Sequence, residues 1–231
     1  MRPFWLALSF LTVLPAPGVG RVAPGEMRRA SGFFPLVGWL VGAALWAADR
    51  LLAGPWPPGL RAAAVLALWL GITGFLHLDG LLDAADALLA PVDRARRLAI
   101  LDDLRVGSFA FGVGAAHLLL KHQAIAAADP RALLLAPAFA RFAVLLPMNL
   151  FPAARPEGLG ARAREGNLGL GLLFALPALA LAPVAAGLGL AAVLFLALFA
   201  HRRLGGLSGD VYGALVELGE LAFLLAALTI P

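Results

Sequence analysis

The sequence predicts an all-α, polytopic integral membrane protein. It has about seven transmembrane helices (six to seven), preceded by an N-terminal interfacial or re-entrant helix. Three observations carry this. First, 61% of the 231 residues are hydrophobic and only 14% are charged, against about 45–50% and about 25% in soluble domains. Second, the apolar residues come in runs near the ~20 residues a helix needs to cross a bilayer. Third, the basic residues are gathered between those runs, the pattern that orients membrane proteins. Mean hydropathy is +0.89. A soluble domain, a disordered chain and a nucleic-acid-binding module are thereby excluded. The high isoelectric point of about 10.9 comes from loop arginines and implies no nucleic-acid partner. There is no cysteine, which excludes disulfides, thiolate metal sites and cysteine nucleophiles. Residues 1–231 read as one membrane-embedded domain whose partner is the lipid bilayer.

In chain order, Phe4 to Leu14 is apolar and follows Arg2. Its length suits a signal peptide, but Pro15 and Pro17 stand where small cleavable residues belong. An uncleaved interfacial or re-entrant helix is expected. Spans follow at about 32–53 and 61–78, joined by the hairpin loop Gly54-Pro55-Trp56-Pro57-Pro58-Gly59. Further spans are expected at about 107–128, 132–152, 185–201 and 211–230, with a shorter one at about 168–183. The uncharged run from Leu168 to Ala200 is too long for one span, and Pro183 or Gly187 is a natural place to turn it back. Gly38 and Gly42 form a small-xxx-small pair suited to close helix packing.

Thirteen of the 18 basic residues fall on one side of this seven-span arrangement. They are Arg2, Arg21, Arg28 and Arg29; Arg94, Arg96, Arg97 and Arg105; Arg155, Arg162 and Arg164; and Arg202 and Arg203. Arg50, Arg61 and Arg131 lie opposite, and Lys121 and Arg141 lie within spans. The positive-inside rule makes the richer side cytoplasmic.

Six of the 14 acidic residues, all Asp, crowd into 25 positions: Asp79, Asp83, Asp86, Asp93, Asp102 and Asp103. On a helix, Asp79, Asp83 and Asp86 share one face, where like charges repel. They begin at the end of an apolar span, where an uncompensated carboxylate is costly. Short carboxylates on one face suit a hard divalent cation, Mg²⁺. The alternative is a solvated helix whose acids pair with Arg94, Arg96, Arg97 and Arg105. Three features favour the metal or phosphate role: the acids are all Asp, they start at the membrane boundary, and His77 adds a polar side chain at the same depth. Asp103 is a further site candidate. Asp93 and Asp102 read as surface residues.

A second polar locus is Gly205-Gly206-Leu207-Ser208-Gly209-Asp210, a small-residue loop whose amides could approach an anion at a helix N-terminus. Asp210, Glu217 and Glu220 share a face of the last span. Intramembrane carboxylates are functional by default, with pairing to Arg141 as the structural alternative. By the topology, this loop and the Asp-rich segment share one membrane side. His117 and His122 have a poor ligand spacing and read as packing or interfacial groups; His201 reads as a helix end at the headgroups.

His77-Leu78-Asp79-Gly80-Leu81-Leu82-Asp83-Ala84-Ala85-Asp86 resembles the HLDGLADTADG signature of the cobalamin synthase (adenosylcobinamide-GDP ribazoletransferase) family. Phe10-Leu11-Thr12 with Leu14-Pro15 resembles its FLTRLP, and Phe33 to Gly38 its FFPLVG. Asp103 to Phe109 resembles its DSRIGTFG, and Gly205 to Ala214 its GGxTGDxxGA. The matches run in order along essentially the whole chain. Ala87, Ala110 and Val13 depart from the pattern, and Ser108 and Ser208 replace threonines. No carboxylate is lost.

The resemblance implies a transferase of the bacterial cytoplasmic (inner) membrane, in the last assembly step of the cobalamin nucleotide loop. Adenosylcobinamide-GDP and α-ribazole, or α-ribazole 5′-phosphate, would give adenosylcobalamin, or its 5′-phosphate, and GMP. On this reading Asp79, Asp83 and Asp86 hold Mg²⁺, and Asp103 and Asp210 join them as catalytic candidates. His77, Arg105, Gly205, Gly206, Ser208, Gly209, Glu217 and Glu220 bind substrate, Arg105 as a bidentate phosphate clamp. Two other classes are weighed. CDP-alcohol phosphotransferases carry an Ala-Arg after their Asp-Gly, which Leu81 to Asp86 lacks. A divalent-cation or proton-coupled transporter would place acids near mid-membrane in several spans, and the first five spans hold almost none. Oligomeric state stays open, a homo-oligomer included.

Overall fold

The computed structural model describes residues 1–23, 25–155 and 166–229. Arg162 and Arg164 lie outside the described residues. Those residues form twelve α-helices and no strand: α1 (Arg2–Leu11), α2 (Glu26–Ser31), α3 (Phe34–Leu52), α4 (Pro58–Ile72), α5 (Leu76–Leu89), α6 (Arg94–Ile100), α7 (Ser108–Ala127), α8 (Pro130–Ala143), α9 (Leu145–Leu150), α10 (Leu168–Leu181), α11 (Pro183–Leu204) and α12 (Gly209–Thr229).

Four stretches are long and apolar enough to cross a membrane: α3, the continuous pair α8–α9 over Pro130–Leu150, α11 and α12. The pair α4–α5 counts as a fifth if it is one broken span. The expected count of seven is therefore not reached on length and composition. Two causes account for this. The run 168–183 is a helix of only 14 residues. The run 107–128 is a full-length helix, but His117, Lys121 and His122 lower its hydropathy. The chain is a multi-pass membrane protein built from helices of uneven length.

The largest departure is within the expected span 61–78. α4 stops at Ile72, and α5 leaves at 88° to it. Gly74 and Phe75 take positive φ values of 57° and 59°, a conformation that ends a right-handed helix and is rare for a bulky residue. The N-terminal segment closes over this bend, where the Val13 N–H donates to the Ile72 carbonyl at 2.9 Å. The Phe10 to Pro15 stretch thus braces the start of the acidic helix. α1 itself buries Leu6, Ala7, Leu8 and Leu11.

α8–α9 and α12 form the centre. In their most apolar windows 72% of residues are buried, against 39% in α3 and 33% in α11. α3 presses onto α8 through Gly38 and Gly42. A Cβ on Gly38 would lie 2.5 Å from the Pro137 carbonyl oxygen, so the small pair serves packing, as expected. The uncharged run 168–200 turns at Ala182, with Pro183 opening α11. Gly187 lies inside that helix and makes no turn.

Candidate functional site

α5 ends at Leu89 because Ala90 precedes Pro91 and is held extended (ψ 139°). Its apolar side buries Leu78, Leu81, Ala84, Ala85 and Leu88, which fixes the opposite placement of its acids. α5 crosses α12 at a glycine–glycine contact. A Cβ on Gly80 would lie 2.7 Å from the Asp210 carbonyl oxygen, and one on Gly213 would lie 3.2 Å from the His77 carbonyl oxygen. This close approach brings Asp210 to the acidic helix. Asp83 feels the charges of Asp79, Asp210 and Asp86. Two segments some 130 residues apart thereby build one carboxylate cluster.

The arginines do not neutralise α5's acids. Arg94 Nε donates to the Leu204 carbonyl at 2.6 Å, capping the end of α11. Arg97, buried, donates to the carbonyls of Ala87 and Leu88 at 2.7 and 2.8 Å, and Arg203 also donates to Leu88 at 2.9 Å. Cations suit helix C-termini, where carbonyls lack intrahelical partners. Arg105 is taken by Asp103, at 2.7 Å. The alternative of a salt-bridged acidic helix therefore loses three of its four arginines. Among the described residues, the side-chain carboxylates of Asp79 and Asp83 accept no hydrogen bond and enter no ion pair. No group of three or more His, Asp or Glu side chains is drawn close enough there to hold a metal ion. The donors available are nevertheless all carboxylate oxygens, the chemistry a hard cation takes.

Asp86 does something the sequence did not suggest. Its two oxygens accept the N–H groups of Gly107 and Ala110, at 2.6 and 2.9 Å. It thus caps α7 from another helix and leaves those oxygens less available than those of Asp79 and Asp83. Asp103 lies in the loop between α6 and α7. The Arg105 side chain and N–H hold its carboxyl down to about 2, so the pair is ionised throughout the physiological range. Arg155 grips Asp102 bidentately at 2.7 and 2.8 Å, lowering the Asp102 pKa, and also lies within electrostatic reach of Asp210. Arg155 has no site role in the sequence reading, where it counts only towards the charge asymmetry. Asp93 is the N-cap of α6.

The glycine loop is built by its own contacts. Gly205 adopts φ 73° and closes α11. Gly206 packs against 153–154, where a Cβ would lie 2.5 Å from the Ala153 carbonyl carbon. The Leu207 N–H donates to the Pro152 carbonyl and its carbonyl accepts from Ala154, both at 2.9 Å. Ser208 caps α12, its hydroxyl accepting from the Val211 N–H at 3.2 Å. Close packing accounts for both glycines, and the Gly205 and Leu207 amides are already engaged. The loop, the α6 region and residues 151–155 nonetheless converge on one end of the bundle, as the topology required.

Glu217 and Glu220 lie apart from this end, in the core. Lys121 Nζ bridges them, 2.6 Å from each. Arg141 Nη1 contacts Glu220 at 2.8 Å, and His117 Nε2 contacts Glu217 at 2.7 Å. Lys121 also stands 4.2 Å from the centre of the Trp69 ring, a cation–π contact. Pairing with Arg141, the structural alternative for these acids, is what the structure has for Glu220. Lys121 and His117 join it without any signal in their sequence spacing. His122 instead contacts the Gly59 carbonyl at 2.9 Å. His77 is buried in a cleft between α1, α3, α5, α8–α9 and α12, which also contains Arg141.

The chain matches the family model of cobalamin-5-phosphate synthase over residues 3–228. It is 51% identical over 223 residues to an adenosylcobinamide-GDP ribazoletransferase of Deinococcus radiodurans, covering 95% of this chain and 82% of that one. It is 39% identical over 246 residues to the protein of that name from Desulfitobacterium hafniense, covering 98% and 96%. The Pseudomonas aeruginosa protein of the same name is 44% identical over 249 residues, covering 98% and 97%. No solved structure matches the chain. A match spanning the acidic helix, the bend and the glycine loop together has one consequence: the chain belongs to the cobalamin-5-phosphate synthase family.

Proposed function

We propose that this chain is an adenosylcobinamide-GDP ribazoletransferase. It joins adenosylcobinamide-GDP to α-ribazole, or to α-ribazole 5′-phosphate, and releases GMP. The observation that carries the site assignment is the cluster of Asp79, Asp83 and Asp210 across the Gly80–Gly213 crossing, with the neighbouring arginines spent on helix ends. In the reaction a ribose hydroxyl of the acceptor attacks the phosphorus next to the cobinamide. A new P–O bond forms, the pyrophosphate P–O bond breaks, and GMP leaves with the bond's electrons. The hydroxyl proton passes to a carboxylate of the cluster. Asp79 and Asp83 on α5, with Asp210 on α12, would hold a divalent cation, Mg²⁺. When bound, it neutralises the charge that develops on the pyrophosphate. Asp86 orders the start of α7 beside the cluster. Arg155 stands near Asp210 to meet a substrate phosphate.

Membranes containing the protein are expected to release GMP from adenosylcobinamide-GDP and α-ribazole with Mg²⁺, to stop on chelation, and to resume when Mg²⁺ is restored. Turnover that persists through exhaustive chelation would remove the metal from this account.

The cluster end is proposed to face the cytoplasm at the bacterial inner membrane, and the arginine asymmetry of the sequence supports that orientation. The chain has no cysteine, so single cysteines report without background. Ala95 is exposed at the cluster end. Gly54 lies in the opposite loop, where an added Cβ meets nothing within 4 Å. An impermeant maleimide is expected to label Gly54→Cys in intact cells and Ala95→Cys only after lysis. The reverse pattern would invert the topology.

A further inference from the structure

The core cleft contains a polar group that the ion-pair network leaves half used. Arg141 is fully buried. Its Nη1 is taken by the Pro137 carbonyl at 3.0 Å and by Glu220. Its Nε and Nη2 have no hydrogen-bond partner among the described residues, although buried donors are almost always satisfied. Arg141 lines a cleft that is partly open to the outside. The remaining walls are mainly apolar. Phe10 and Phe34, both in the lining, stack at 6.0 Å and 17°, and Met148 and Val216 face the same space.

We propose that this cleft receives the flat, uncharged aromatic base of the acceptor nucleoside, with Arg141 donating from its Nε–Nη2 side to a ring nitrogen. The proposal rests on the reaction proposed above. Three properties select the occupant. Lys121 and Arg141 face two carboxylates, Glu217 and Glu220, so the network is already balanced. A buried anion would add an uncompensated charge, whereas a neutral acceptor atom adds none. The dimethylbenzimidazole of α-ribazole offers one free ring nitrogen and otherwise apolar edges, which suits one donor fork in an apolar slot. Guanine would bring several N–H donors into a cleft lined by no carboxylate. Position agrees as well. The lining residues Leu76, His77, Gly209 and Gly213 come from the first turns of α5 and α12, the two helices that carry Asp79, Asp83 and Asp210. A base in the cleft is therefore held against the same pair of helices as the carboxylate cluster.

The test uses purified full-length protein in nanodiscs. Arg141→Lys keeps a cation opposite Glu220 and removes the fork. Val216→Phe and Met148→Phe fill the cleft from two different helices. Equilibrium binding of α-ribazole and the separate KM values of both substrates are measured, with monodispersity as the check on folding. The filled variants are expected to weaken α-ribazole binding and raise its KM by about tenfold or more, ~1.4 kcal/mol. The KM for adenosylcobinamide-GDP should stay within about twofold of wild type, well under that change. Arg141→Lys should follow the same pattern. If the wild type releases no GMP from the two substrates, the proposed function fails. If it does, but monodisperse filled variants bind α-ribazole as wild type does, this assignment alone is overturned. It is also overturned if the adenosylcobinamide-GDP KM rises instead. Loss of co-purifying phospholipid with unchanged α-ribazole binding would assign the cleft to an acyl chain and overturn it too.

Discussion

Asp83→Asn is expected to abolish GMP release while leaving the protein inserted and monodisperse. Asp83 is half-buried and feels the like charges of Asp79, Asp210 and Asp86. Removing its charge relieves repulsion in the resting protein, so the fold should not suffer. The same change removes an oxygen donor from the proposed cation site. Losing charge stabilisation worth several kcal/mol in the transition state corresponds to at least ~100-fold in rate, since ~1.4 kcal/mol is tenfold. Asp129→Asn is the matched control. Asp129 caps α8, its Oδ1 accepting the Arg131 N–H at 2.7 Å, and Asn caps about as well as Asp. Wild-type turnover in monodisperse Asp83→Asn would sink the carboxylate-cluster mechanism, whatever the family.

Lys121→Met is expected to damage the fold rather than the chemistry alone. Lys121 and Glu220 are fully buried, and Glu217 is only 2% exposed. Among the described residues, the lysine is the one group that contacts both carboxylates. Without it, Glu217 keeps His117, Glu220 keeps Arg141, and the two acids face each other across an apolar gap. Breaking a buried pair by removing one partner costs about 3–5 kcal/mol. A large fall in the thermal unfolding midpoint in detergent should result. Adding Glu217→Gln to Lys121→Met should recover part of it, because one negative charge then remains for Arg141. Unchanged stability in the single variant, or no recovery in the double, would show that the network does not hold the core together.

These two experiments address different kinds of information in the chain. The membrane class, the helical content and the shared side of the acidic helix and glycine loop all follow from composition, apolar runs and the placement of arginines. Each depends on residues summed over a segment or on neighbours in sequence. The carboxylates of α5 were legible for the same reason, since helical periodicity alone puts Asp79, Asp83 and Asp86 on one side. Tertiary structure decided the rest. The 88° bend at Thr73–Phe75 interrupts a run that carries no charged residue and no proline from 62 to 76, because the bend depends on backbone conformation at Gly74 and Phe75 and on Val13 reaching Ile72. The assignment of partners depended on contacts made over long separations. Asp86 caps α7 from 21 positions away. Lys121 finds Glu217 and Glu220 from 96 and 99 away. Arg94 and Arg97 go to helix-end carbonyls rather than to the nearest aspartates. Charge in a sequence says what must be compensated; which group compensates it is settled only when helices distant in the chain pack together, because the cost of an unmet charge or donor arises from the burial that packing creates.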